Sequence, residues 1–300
     1  MWKNPFLTVL LLLTAILGGG KAYIDHWLNN SIANTLNTNF PQANIRYQQA
    51  HLSITGAIQL ENLTIDTPTL QDIHITQVTL YRVYQWYNPQ QLPENAQIHL
   101  SGLQIPLNDA APPIPVWLNL FGYAPYYVTP TELRRLGYLS FNADVDIQAI
   151  RQTEQQIRLQ ALIDGGSWGK LQLQTTLENV PPPAQLQRSA QQIALAELTL
   201  SFSEQGLLKQ LWGLWAQRND TTIDLLQEKL IQTIQTGLAQ TKLPFDASLM
   251  QSLRRFIQNP THLRLSLKPM QALSLNKMLQ IPLTDLVQSL RLMMDNNTFE

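Results

Sequence analysis

The chain of 300 residues contains no cysteine, which removes disulfides, thiol nucleophiles, iron–sulfur clusters and cysteine-ligated zinc together. Charge is scarce too, since Asp, Glu, Lys and Arg make up 14 % of the residues where about 25 % is usual. Glutamine and asparagine fill that deficit, leaving a surface that is polar but weakly charged. A net charge of −1 lacks the cationic excess needed to neutralise phosphates, which argues against nucleic acid as a partner. The histidines, His26, His51, His74, His99 and His262, show no pair at helical or alternate-strand spacing, so they define no metal site. Asp144 and Asp146 share a strand face, but no third acidic residue adjoins them, and they read as a solvated strand edge. No cofactor motif is present. Apolar residues, at 44 %, are ample for a folded core.

They are concentrated first at the N-terminus. From Pro5 to Leu17 only Thr8 and Thr14 interrupt an apolar run, which passes through Gly18, Gly19 and Gly20 to Lys21, and no comparable segment follows downstream. The core of the run, Phe6 to Leu17, is short for a spanning helix, and a signal-peptidase cut after Ala22 fits the small residues Gly20 and Ala22. Yet Tyr23, Ile24, Trp27, Leu28, Ile32 and Leu36 continue at helical spacing. With the glycines included, Pro5 to Ile24 reaches the length that crosses a bilayer, with Phe6, Leu10, Leu13 and Leu17 in the hydrocarbon and Tyr23 and Trp27 at the interface. The expected organisation is a single-pass anchor and membrane-proximal helix over 1–37, with the bulk of the chain beyond the membrane.

Period-two alternation then dominates over 38–202. Ile45 and Tyr47, Leu52 and Ile54, Ile58 and Leu60, Leu63 and Ile65, Ile73 and Ile75, and Val78 and Leu80 mark strands of an antiparallel meander. Further strands are expected at Gln97–Leu107, Leu139–Ile150, Gln156–Asp164, Lys170–Leu177 and Ile193–Phe202. The insertion at 109–138 differs in kind, setting Pro112, Pro113, Pro115, Pro125 and Pro130 among Trp117, Phe121, Tyr123, Tyr126 and Tyr127. Its aromatics suit either a plug at one end of the sheet or a lip that touches lipid. Inside it, Thr129-Pro130-Thr131-Glu132 has capping-box spacing and predicts a short helix stopping at Gly137.

From Ser203 the period lengthens to that of a helix. Leu207–Trp215, Ile223–Leu238 and Leu249–Ile257 read as three helices, with Asp220 and Asp246 as caps for two of them. A strand at 261–267 follows Pro260, and Leu283–Met294 reads as a closing helix. The fold class is therefore α+β: an N-terminal transmembrane helix, a twisted antiparallel sheet shaped as a groove, and a helical segment over 203–300.

One string resembles a catalytic motif. Gly165-Gly166-Ser167-Trp168-Gly169 satisfies G-x-S-x-G, with Asp246 and His262 in the chain order of a hydrolase triad. A nucleophile elbow requires a helix after the serine, however, and here an alternating strand begins at Lys170. The glycines are those of a hairpin turn. Trp212 and Trp215 read as core, and Arg254 and Arg255 as cations at a helix C-terminus.

Several stretches carry a family resemblance. A signal-anchor followed by Asn44-Ile45-Arg46-Tyr47 and by Ile54-Thr55-Gly56-Ala57-Ile58-Gln59-Leu60-Glu61-Asn62-Leu63-Thr64-Ile65 resembles the opening of AsmA-like and related membrane-anchored periplasmic proteins of Gram-negative bacteria. Leu136-Gly137-Tyr138, Glu204-Gln205-Gly206-Leu207-Leu208 and the segment from Asn259-Pro260-Thr261 to Pro269 look like recurring pieces of such envelope proteins. The resemblance implies an inner-membrane protein with most of its chain in the periplasm, a sheet with an apolar inner face, a role in envelope lipid handling or outer-membrane homeostasis, and no catalytic residues. Membrane lipid is the expected partner, on a face that includes Ile54, Ile58, Leu60, Leu171 and Leu173. The alternatives are a scaffold that docks an envelope protein through the Pro-aromatic stretch, and a serine hydrolase using Ser167.

Overall fold

The computed structural model describes residues 25–34, 36, 38, 40–53, 55–67, 71–82, 94–108, 114–115, 127–241, 247–280 and 292–295. Strands β1 (Asn44–Arg46), β2 (Gln49–Leu52), β3 (Ile58–Asp66), β4 (Ile73–Tyr81) and β5 (Asn95–Pro106) follow a first helix, α1 (25–34). The short pair β6 (Ile114–Pro115) and β7 (Tyr127–Val128) precedes α2 (Pro130–Arg135). Strands β8 (Ser140–Thr153), β9 (Gln156–Asp164) and β10 (Lys170–Glu178) come next, then α3 (Leu186–Ser189) and β11 (Ala194–Ser203). Helices α4 (Leu207–Arg218), α5 (Ile223–Thr241) and α6 (Ala247–Gln258) lead to β12 (His262–Leu267), β13 (Leu273–Ser274), α7 (Leu275–Gln280) and β14 (Leu292–Asp295).

Twelve strands form one antiparallel sheet in the order β1-β3-β4-β5-β8-β9-β10-β11-β12-β14, with β2 also on β3 and β13 also on β11. Among the described residues no pairing joins β1 to β14. The strands beyond residue 203 belong to the same sheet as those before it. Leu292–Asp295, at the end of the expected closing helix, pairs instead with β12, Leu265 facing Met294. The adjacent Met293 and Met294 suit a helix or a strand equally, and the free edge of β12 decides between them.

A one-residue slip would turn each apolar set to the opposite face, and β3, β4 and β5 each make that slip at a shared crease. In β3 the apolar pairs fall at Ile58 and Leu60, then at Leu63 and Ile65, with left-handed Asn62 (φ 51°) between them. Opposite it lies Thr76, and opposite Thr76 lies Gly102 (φ +65°), whose N–H donates to Asp144 Oδ1 at 2.7 Å. A Cβ on residue 102 would sit 2.4 Å from Thr76 Oγ1, so glycine is required there. The ladder to β8 absorbs the extra residue between Leu100 and Leu103. All these apolar residues therefore gather in one cluster. Asp144 and Asp146 lie in this interior strand rather than on an edge: Asp146 accepts from Gln97 Nε2 at 2.8 Å and lies 3.5 Å from His99.

Two separate layers cover the apolar face. Leu28 and Ile32 of α1 pack on Ala50, Leu60, Leu63, Ile75 and Val78, so the helix assigned to the N-terminal segment belongs to the sheet's own core. Its polar side chains grip the outer edge of β2. Asn29 Nδ2 donates to Ala50 O at 2.8 Å and Asn29 Oδ1 accepts from Ala50 N at 2.8 Å, while Asp25 Oδ1 accepts from Leu52 N at 2.9 Å. Tyr47 OH adds a bond to Asn29 O at 2.7 Å.

The second layer is built by α4, α5 and α6, whose Trp212, Trp215, Leu230, Ile234, Leu253 and Ile257 form a core with Val128, Leu133 and Tyr138. Trp212 and Trp215 meet edge to face at 5.3 Å, confirming both as core residues. Phe256 meets Phe202 in the same way, fixing this layer over one end of the sheet. The expected capping box is present: Thr129 Oγ1 accepts from Glu132 N, and Glu132 Oε2 accepts from Thr129 N at 2.9 Å. Glu132 also pairs with Arg218 at the end of α4. Burial pushes its carboxyl up, but Arg218 and the Thr129 donors outweigh this and hold it below the ordinary glutamate value. Val128, Leu133 and Tyr138, at the end of the insertion, are buried in this core, while the aromatics on which the plug and lip readings rest, Trp117, Phe121, Tyr123 and Tyr126, lie outside the described residues. Asp220 is not the cap of α5. It sits at φ 47° in the preceding turn, and Thr222 takes the capping place with Oγ1 near Leu225 N. Asp246 lies outside the described residues.

The α1 clamp makes a quantitative expectation. Ala50 is 1 % exposed, so Asn29→Leu leaves its N–H and C=O buried without partners, at about 1–3 kcal/mol for each unsatisfied group. Urea unfolding followed by tryptophan fluorescence should show a loss of about 2–4 kcal/mol; a loss below about 0.5 kcal/mol would mean the clamp is dispensable.

Candidate functional site

Because paired residues in an antiparallel ladder share a face, the registers show which side chains form continuous rows. One row runs Ile58, Leu80, Ile98, Ile147, Ala161, Leu173, Leu200, Leu265 and Met294. The next runs Leu60, Val78, Leu100, Val145, Ile163, Leu171, Phe202 and Leu263. Not one polar residue interrupts either row. Ile58 and Leu173, chosen from sequence, share the first row, and Leu60 and Leu171 share the second. Ile54 lies outside the described residues.

The rows are covered unequally. At the β3 end they pass beneath α1, where Leu60 and Val78 are buried. At the other end Phe202 and Met294 meet α6 and its neighbours. Between these layers Leu171, Leu173, Leu200 and Leu265 are only half-buried, and Ile147, at the centre, is 40 % exposed. Strands about 4.8 Å apart make the nine-residue row about 38 Å long, and successive rows stand about 6.7 Å apart. The surface has the width of a hydrocarbon chain and offers no charge.

The opposite face carries the polar chemistry. Gln97, His99, Asp146, Gln160, Gln174 and Thr199 point there, with Ser201, Ser203 and His262. Ser203 Oγ and His262 Nδ1 lie 3.0 Å apart, a serine–histidine contact that sequence reasoning missed because it joins residues from adjacent strands. His262 is 5 % exposed. Burial depresses its pKa, Asp295 counters that and Arg264 reinforces it, with a net shift downward. Acyl transfer also needs oxyanion donors aimed at an open site, and Ser203 stands within the ladder between Lys170 and His262. The contact is structural.

Ser167 lies in the 3-10 turn Gly166–Trp168 that joins β9 to β10, as the hairpin reading requires. Asp164 and Lys170 close its base at 2.9 Å. At Gly169 (φ +128°) a Cβ would stand 2.8 Å from Ser203 O, which accounts for that glycine by close approach of two strands. The Trp168 indole N–H donates to Asn142 O at 2.8 Å and the ring meets Phe141 edge to face, so the turn's aromatic residue packs on the sheet. Arg254 pairs with Glu228 of α5 at 3.2 Å. Among the described residues no group of three His, Asp or Glu side chains converges as a metal site, and no helix is long and apolar enough to cross a membrane. The apolar run with Phe6, Leu10, Leu13, Leu17 and Tyr23 lies outside the described residues; Trp27, on α1, is 54 % exposed.

Over residues 162–297 the chain is similar to a protein family whose model is described as "Uncharacterized protein". The match takes in Leu171 and Leu173 and the whole α4–α6 layer, but not the strands beneath α1. No curated protein matches the chain.

His262 gives the site a pH signature. Its pKa is lowered in the fold, so the unfolded chain binds the extra proton first: stability is complete above the unfolded value of about 6.5 and falls as pH drops through it. Thermal unfolding at pH 7.5 and 5.5 should show the loss, and His262→Gln should flatten the dependence. An unchanged slope in that variant would assign the titration elsewhere.

Proposed function

We propose that this chain is a membrane-anchored envelope protein that performs no reaction of its own and holds a lipid acyl chain along the apolar rows of its sheet. The observation that carries the reading is the unbroken apolar register from Ile58 to Met294, left half-open between its two covering layers. Placement at the inner membrane, with the sheet on the periplasmic side, rests on the apolar run Pro5–Ile24 and on the likeness of Asn44–Tyr47 and Ile54–Ile65 to AsmA-like proteins. In that reading the sheet face is a groove. The chain's paucity of charge fits a surface that meets hydrocarbon.

Magnitudes favour exchange over tight capture. Each methylene moved from water to the stripe stabilises the complex by about 0.8 kcal/mol, so ten of them suffice for roughly 8 kcal/mol, near a micromolar dissociation constant. Against a bilayer the same methylenes are already dry, and the net gain is close to zero. A lipid would therefore load from and return to the membrane without a large barrier of affinity.

The test is mass spectrometry of organic extracts from detergent-solubilised full-length protein beside Ile147→Glu. Ile147 is 40 % exposed, so a carboxylate there is tolerated by the fold but faces any bound chain. Co-purifying acyl lipid is expected in the parent and at least about tenfold less in the variant, from the roughly 2 kcal/mol or more of setting a charge against hydrocarbon. A parent that carries no lipid sinks the reading.

A further inference from the structure

The clamp between α1 and β2 fixes how the sheet meets the membrane. Asp25 is bonded to Leu52, beside the Thr55–Ala57 turn, whereas the chain leaving α1 reaches β1 at Asn44, opposite Asp66 at the other end of β3. The helix thus runs along the sheet edge away from the turn. Its first described residue, Asp25, therefore lies at the turn's end. The sequence before Asp25 is the apolar run, and in the proposed reading a helix over Pro5–Ile24, at 1.5 Å per residue, would be about 30 Å long, the thickness of the hydrocarbon core. No slack chain separates its last residue from Asp25, which the sheet already holds.

From this juxtaposition we infer that the end of the sheet formed by the Thr55–Ala57 turn and the β4 terminus Tyr81–Arg82 rests on the lipid headgroup layer. The inference rests on the membrane anchor of the proposed function, and is independent of whether the apolar rows bind lipid. Near Asp25 stand Trp27, 54 % exposed, Tyr81, 36 % exposed, and the exposed Arg82, residue types that suit a membrane interface. The opposite turn carries Asp66 and Asp72, with Asp72 N–H donating to Asp66 Oδ1 at 2.9 Å and Arg46 pairing with Asp66 Oδ2 at 3.0 Å.

Because the chain has no cysteine, single substitutions give unique labels. Thr55→Cys, Tyr81→Cys and Gln71→Cys in the full-length protein, carrying an environment-sensitive fluorophore, are to be reconstituted in phosphatidylethanolamine–phosphatidylglycerol vesicles with headgroup-spin-labelled lipid. Thr55 and Gln71 flank opposite ends of β3, whose nine residues put about 30 Å between them. Labels at 55 and 81 should be quenched and blue-shifted, and the label at 71 should behave as in water. Quenching at 71 instead, or aqueous behaviour at all three positions in vesicle-bound protein, overturns the orientation while leaving the anchor intact. Protein that fails to remain with the vesicles overturns both.

Discussion

Antiparallel register is the constraint on which the rest of the structure depends. Side chains alternate along a strand, so an apolar face that crosses nine strands exists only if each ladder is aligned to the residue. The crease at Asn62, Thr76 and Gly102 is where that alignment would fail, because β3, β4 and β5 change parity there and β8 does not. Placing the three changes opposite one another converts a defect in each strand into one fold line. The Gly102 N–H displaced from the ladder is taken by Asp144, so the crease leaves that donor satisfied.

The aligned face is then divided by what lies on it. Helix α1 covers the β3 end with Leu28 and Ile32, while α4–α6 cover the other end around Phe202 and Met294. Neither layer contributes to the cluster of the other. A sheet wide enough for both has a stretch between them where Ile147 is exposed and Leu173 only half-buried, and that geometry, rather than any polar constellation, distinguishes the described residues. The polar face contributes cross-strand bonds such as Ser203 with His262 and Gln97 with Asp146, which fix register from the other side.

Local signals were legible in the sequence to the extent that they were local. Alternation marked the long strands, the Thr129–Glu132 spacing marked a capping box, and the glycines around Ser167 marked a turn, each because neighbouring residues alone determine the outcome. Ile58, Leu60, Leu171 and Leu173 were recognisable as one-sided, but their common rows were not, since each row is assembled from successive pairings between different strands, some as distant in the chain as Leu200 and Leu265. The same holds for Leu292–Asp295: its two methionines carry no strand signal, and only the vacant side of β12 makes a strand of them. Asp220 failed as a cap for a local reason, because Thr222 stands closer to the first turn of α5.

Asn29 behaves toward Ala50 as a neighbouring strand would, presenting one donor and one acceptor on a single side chain. With Asp25 at the next outward-facing amide, the β2 stretch of the sheet's first margin is covered by a helix that the same polypeptide supplies. An extended segment from another molecule would have to displace Asn29 and Asp25 to pair with Ala50 and Leu52. Strand addition, the characteristic hazard of a sheet edge, is thereby hindered along β2 before any partner arrives.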